Sequence, residues 1–177
     1  DIVFGAIKII KKKSYYSRYM TSFKSEINLF NNKKCLASAM VCRRNKKQIY
    51  FDQRFGLGSK YPSSEETDFI LSCLFSKKYE VFYYPKILLY HPNDEFLKKD
   101  IKKIGNKFYS YGIGTGAVYA KYLRKKYLVF FLYLYEVLKS LIGSILGILK
   151  INKYFFYKHS NLLKGKILGF IRFLLSE

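Results

Sequence analysis

Hydrophobic and polar positions divide the chain into a strand-rich first half and a helical second half. Residues 2–10 are apolar and β-branched, broken only by Gly5, Ala6 and Lys8, and predict a buried strand. Residues 11–34 mix Lys, Ser, Tyr and Asn without a clear period and read as a loop with a short helix. Residues 36–42, LASAMVC, suit a central strand, after which Arg43, Arg44 and the following lysines turn the chain to the surface. Phe51 and Phe55 frame a turn marked by Gly56, Gly58 and Pro62, and the apolar run 69–75 behind it has helical length. On that helix Glu65, Asp68, Ser72 and Ser76 form a polar stripe, with Phe69, Ile70, Cys73 and Leu74 facing inward. Residues 79–84 and 87–90 predict two strands separated at Pro85.

Residues 93–123 read as helix until Gly112, Gly114 and Gly116 loosen it. The string GIGTGA follows a helical, Lys-rich segment, whereas a glycine-rich phosphate loop follows a strand, so its context argues against nucleotide binding. Residues 127–149 are long enough to span a bilayer, which takes roughly 20 residues. Glu136 and Lys139 interrupt that run near its middle, where a charge costs on the order of 3 kcal/mol. The two lie three apart and can pair, and Ser140, Gly143, Ser144 and Gly147 extend a polar and small stripe opposite a broad Leu/Ile/Phe face. Basic residues flank both ends, so charge assigns no orientation. Residues 161–175 form a second amphipathic helix carrying Lys164, Lys166 and Arg172, with Gly165 and Gly169 spaced for packing. A helical hairpin lying in a membrane interface fits better than a clean crossing; two helices packed on the protein's own core are the alternative.

Composition sharpens this picture. Across 177 residues, 33 Lys and Arg face 12 Asp and Glu, a net charge of +21, which calls for an anionic partner or surface. An AT-rich coding sequence would produce some of that lysine excess by itself. The aromatics fall in apolar runs rather than an RNA-binding pattern, so nucleic acid is not expected as a partner. Cys35, Cys42 and Cys73 lack zinc or disulfide-framework spacing and read as buried free thiols. The opening DIVFGAIKII has no secretory-signal layout and reads as the middle of a longer chain.

In this basic chain Glu65, Glu66 and Asp68 crowd into four positions, a costly arrangement unless a helix end, cation or ligand compensates. The order of motifs here, FDQRFGLGS, SEETDFILSCL, KKYEVFYYP and LLYHP, resembles the C-terminal half of the catalytic domain of family 2 glycosyltransferases. The resemblance implies an α/β fold: a partial GT-A domain over residues 1–95, a helical linker over 96–125 and membrane-associated helices over 126–177. It implies an inverting enzyme that transfers a sugar from a nucleotide-sugar donor to a glycan or lipid-linked acceptor at the cytoplasmic face of an anionic membrane. By position Glu66 is the general base, Glu65 and Asp68 hold acceptor hydroxyls or position the helix, and His91 is the metal-side residue. The divalent ion, Mn²⁺ or Mg²⁺, is expected only with an N-terminal half bearing a DxD motif. No DxD occurs in this sequence, and the isolated chain is expected to be catalytically incompetent.

Plainer readings stand beside these. Ser63 and Glu66 also spell an S-x-x-E capping box, and a lone His is more often packed than ligating. A basic membrane-surface or assembly subunit without chemistry is the alternative function.

Overall fold

The computed structural model describes residues 2–10, 14, 15, 17, 19–36, 39–42, 50–91 and 100–176. The basic run 43–49, Pro92 of the LLYHP motif and the expected boundary at 95/96 lie outside them. Among the described residues the protein is mixed α/β, with a small four-stranded mixed sheet and four α-helices. Two compact units share the chain: Asp1–Asp52 with Glu65–Asn93, and Gln53–Ser64 with Asp94–Glu177.

In the first unit β1 (Ile2–Ile9), β2 (Ser25–Glu26), β3 (Met40–Cys42) and β4 (Val81–His91) align in the order β2-β4-β1-β3. β1 and β4 run parallel, and the two edge strands are antiparallel to their neighbours. Helix α1 (Glu65–Ser76) covers the sheet. Its Phe69, Ile70 and Cys73 join Ile2, Phe4, Ala6 and Ile7 of β1, and Val81 and Tyr83 of β4, in one core. Cys35 and Cys73 are buried free thiols, as their spacing suggested.

Three expectations are corrected here. The segment 36–42 contributes a three-residue edge strand, not a central one, because β1 already has β4 on its other side. Pro85 does not split the following strand; β4 runs unbroken for 11 residues. The register slips between Phe4 and Ala6, so Tyr84 to Ile87 bulge out of the ladder, and Pro85 falls where no ladder donor is required. Gly5 faces that bulge: a Cβ there would lie 2.5 Å from the Ile87 carbonyl oxygen. Asp68, finally, is not on an exposed stripe but only 2% exposed, because Leu71 one turn on is also buried and widens the inward arc.

The second unit is helical: α2 (Ile101–Leu123), α3 (Leu128–Leu149) and α4 (Lys153–Ser176). Gly112, Gly114 and Gly116 do not loosen α2, which continues through them for 23 residues. They are buried where other backbone approaches. A Cβ on Gly112 would meet Gly165 Cα of α4 at 2.8 Å, and one on Gly169 would meet Ile113 Cα of α2 at 2.8 Å. The pairs 112/116 and 165/169 thus form a close-approach seam of the small-xxx-small kind.

Candidate functional site

α1 opens on Glu65, Glu66 and Asp68, all within its first turn, where free backbone N–H groups and the helix dipole favour anions. Immediately before it Ser64 is held at φ 71°, a left-handed conformation uncommon outside glycine. Such strain persists where surrounding contacts over-determine it. The loop that ends there is fixed on α2 within the second unit. Ser63 donates its hydroxyl proton to the Ser110 carbonyl (3.0 Å), the Ser64 and Thr115 hydroxyls lie 3.4 Å apart, and glycine at 114 leaves room for the Ser63 backbone.

Glu66 is half-buried, and burial pushes its carboxyl above its ordinary value. A bond from its own backbone N–H opposes that shift, and the neighbouring Glu65 charge adds to it. At this helix end desolvation outweighs the backbone bond. A carboxylate raised in this way is a better proton acceptor than an exposed one. Asp68 is buried at the same helix start and suits anchoring rather than contact with an acceptor. Glu65 is half-exposed beside Glu66.

His91 ends β4 in register with Ile9, and its carbonyl accepts from Ile10 N–H (2.9 Å). Among the described residues, no group of three or more His, Cys, Asp or Glu side chains converges closely enough to hold a metal ion. His91 alone does not make such a site.

The helices of the second unit show inverted polarity. The face of α3 turned inward carries Tyr133, Glu136, Ser140, Gly143, Ser144 and Gly147. The outward face carries Phe131, Leu134, Leu138, Leu141, Ile142, Ile145, Ile148 and Leu149, all exposed. α3 is long and apolar enough to cross a membrane: 22 residues at 1.5 Å rise make roughly 33 Å. The polar stripe seen in the sequence has a partner the pattern did not reveal. Lys166, expected on the cationic face of α4, is 4% exposed and reaches across to α3. Its Nζ donates to Glu136 Oε2 (2.9 Å), the Glu136 carbonyl (2.8 Å) and Ser140 Oγ (2.9 Å). Lys139 flanks the same carboxylate at 3.6 Å.

The turn between α3 and α4 is built for antiparallel packing. Ile151 N–H bonds the Ile148 carbonyl and Asn152 N–H that of Gly147, both at 2.9 Å, closing a Schellman motif. Asn152 Oδ1 then accepts from Phe155 N–H (3.0 Å) to start α4. The only sequence signal for Lys166 was an ionisable residue beside a packing glycine in an amphipathic helix. Comparison of the chain with family models, with curated proteins and with solved structures finds no match.

Proposed function

We propose that this protein is the acceptor-side part of an inverting GT-A glycosyltransferase of family 2, carried on a membrane-embedded helical hairpin. The reading rests on the resemblance of residues 51–92, and one structural observation supports it best: Glu66, half-buried at a carboxylate-rich helix start, has a raised proton affinity. In the reaction Glu66 takes the proton of an acceptor hydroxyl as that oxygen bonds to the anomeric carbon. The bond to the nucleoside diphosphate breaks with inversion, and the diphosphate carries away the electron pair. Asp68 anchors the helix start, and Glu65 is the nearer candidate for holding acceptor hydroxyls. A divalent ion and its Asp ligands belong with the nucleotide-binding half, so no step is assigned to His91 through a metal. The outward apolar face of α3 supports residence in a membrane, with the basic remainder at the anionic cytoplasmic side.

The test uses membranes from cells expressing the intact gene product, supplied with labelled nucleotide-sugars. Loss of a general base lowers turnover by about 10²–10⁴-fold, and Glu66→Gln is expected to do so with membrane binding unchanged. Equal turnover by wild type and variant would refute the base assignment. The second reading, a non-catalytic basic membrane-assembly subunit, is favoured by the inverted polarity of α3, which suits a membrane and calls for no chemistry. It prevails if no donor is turned over while the chain stays in the membrane.

A further inference from the structure

A cavity of about 210 Å³ in the second unit is lined by Arg54, Ala120, Lys121, Arg124, Phe173 and Leu174. We propose that it binds the phosphate of a phosphorylated head group, the three cations holding the phosphate oxygens and the apolar lining receiving the adjoining carbon chain. The size suits such a group rather than a nucleotide-sugar, since pockets for larger ligands run roughly 300–1,000 Å³.

The cations are positioned by the fold rather than merely abundant. The Arg54 guanidinium lies 5.3 Å from the Phe173 ring, and Lys121 Nζ is 5.3 Å from both the Phe55 and Tyr122 rings. The loop carrying Arg54 is closed by Tyr61 N–H and Ser59 Oγ, each 2.9 Å from the Arg54 carbonyl oxygen. Phe55 stacks with Phe173 (6.4 Å between centroids), Tyr61 meets the same ring at a tilt (5.6 Å), and the Tyr61 and Ser176 hydroxyls lie 3.1 Å apart. Arg124 caps the end of α2 and is exposed. Guanidinium recognises phosphate oxygens bidentately, and Arg54 and Arg124 both line the cavity.

Location indicates where that phosphate comes from. Arg124 lies four residues before Leu128, where α3 begins. Tyr133 meets Phe170, Glu136 meets Lys166 and Gly147 meets Phe156, so the antiparallel hairpin brings the last turn of α4 back to the start of α3. Beside the cavity, Leu174 and Leu175 are 41% and 84% exposed. In a membrane this end of α3 is at head-group depth, where basic pockets between helices bind lipid phosphates. The lipid source rests on the membrane reading of α3; the phosphate chemistry does not.

The experiment takes the full chain in dodecyl maltoside and titrates three probes: dioctanoyl phosphatidic acid, glycerol 3-phosphate and uncharged dioctanoylglycerol. Phosphatidic acid should bind, dioctanoylglycerol should not, and Arg124→Gln or Lys121→Gln should each weaken binding about tenfold. Lys150→Gln with Lys153→Gln, at the opposite end of the hairpin, should leave it within about twofold. Arg124 is exposed, so Arg124→Gln preserves the test if Lys121→Gln impairs folding. Tighter binding of phosphatidic acid than of glycerol 3-phosphate identifies a membrane lipid, and equal binding identifies a soluble phosphoryl compound; either upholds the site. Binding indifferent to Arg124 and Lys121, or equally reduced by the distant pair, overturns it. Alkaline carbonate extraction is run in parallel. Extractable protein that still binds phosphate defeats the membrane reading alone, and resistant protein that does not bind defeats this site alone.

Discussion

Replacing Lys166 with Met keeps an unbranched side chain, one atom shorter, and removes its charge and three donors. What remains is Glu136, 6% exposed, having lost Nζ contacts at 2.8 and 2.9 Å to its carbonyl and carboxylate. Breaking a buried pair from one side costs about 3–5 kcal/mol, since the surviving charge keeps its desolvation penalty. Lys139 holds the other carboxylate oxygen at 3.6 Å but is itself partly exposed, which places the expected loss near the lower end, about 3 kcal/mol. The double change Lys166→Met with Glu136→Gln removes the stranded charge and should recover most of that loss, to within about 1 kcal/mol of wild type. Far-UV circular dichroism during SDS titration of the full chain in dodecyl maltoside reads these differences. The competing expectation is specific: polar contacts between helices in a lipid setting average only about 0.6 kcal/mol, because the unfolded helices find other partners. A Lys166→Met loss of that size, with no recovery in the double variant, would refute the assignment of Lys166 as the hairpin's essential counter-charge.

Three further outcomes are expected. Gly169→Val drives two methyl groups toward the Ile113 backbone, which cannot give way, and should cost about 3 kcal/mol in the same titration; a loss below 1 kcal/mol would mean that α2 and α4 are not in close contact. Ile151, β-branched and exposed, is held at φ 48° in the Schellman turn, so Ile151→Gly should stabilise the hairpin by roughly 1 kcal/mol, and a destabilised variant would contradict that backbone conformation. Because Glu66 has a folded-state pKa above its ordinary 4.5, ionising it costs stability above the raised value, and that cost disappears as pH falls through it. Glu66→Gln should therefore melt higher than wild type at neutral pH, with the difference closing as pH approaches 4.5; a difference that grows on acidification would reverse the sign of the shift.

Much of this architecture was legible because it follows from periodicity. The buried strand at residues 2–9, the carboxylate-headed α1, the polar stripe of α3 and the glycine spacing of α4 were each visible as local patterns. What stayed hidden depends on a partner distant in the chain. Pro85 reads as a break until the slipped register opposite Gly5 gives it a bulge. Gly112 and Gly116 read as helix breakers until Gly165 and Gly169 supply a backbone to receive them. Lys166 reads as surface charge until Glu136, 30 residues earlier, turns it inward. At the candidate site the identity and order of the carboxylates were readable, but not the burial of Asp68 or the opposition between desolvation and the backbone bond at Glu66.

On the proposed membrane reading of α3, the shared Glu136–Lys166 contact has a consequence for biosynthesis. As α3 leaves the ribosome it carries an acid that hydrocarbon will not readily accept, and the base that neutralises it is thirty residues behind. Neither helix is a good passenger alone, so the nascent α3 should wait at the water boundary until α4 has been made. On that reading the two would enter as one pre-folded unit, a single step for the insertion machinery rather than two.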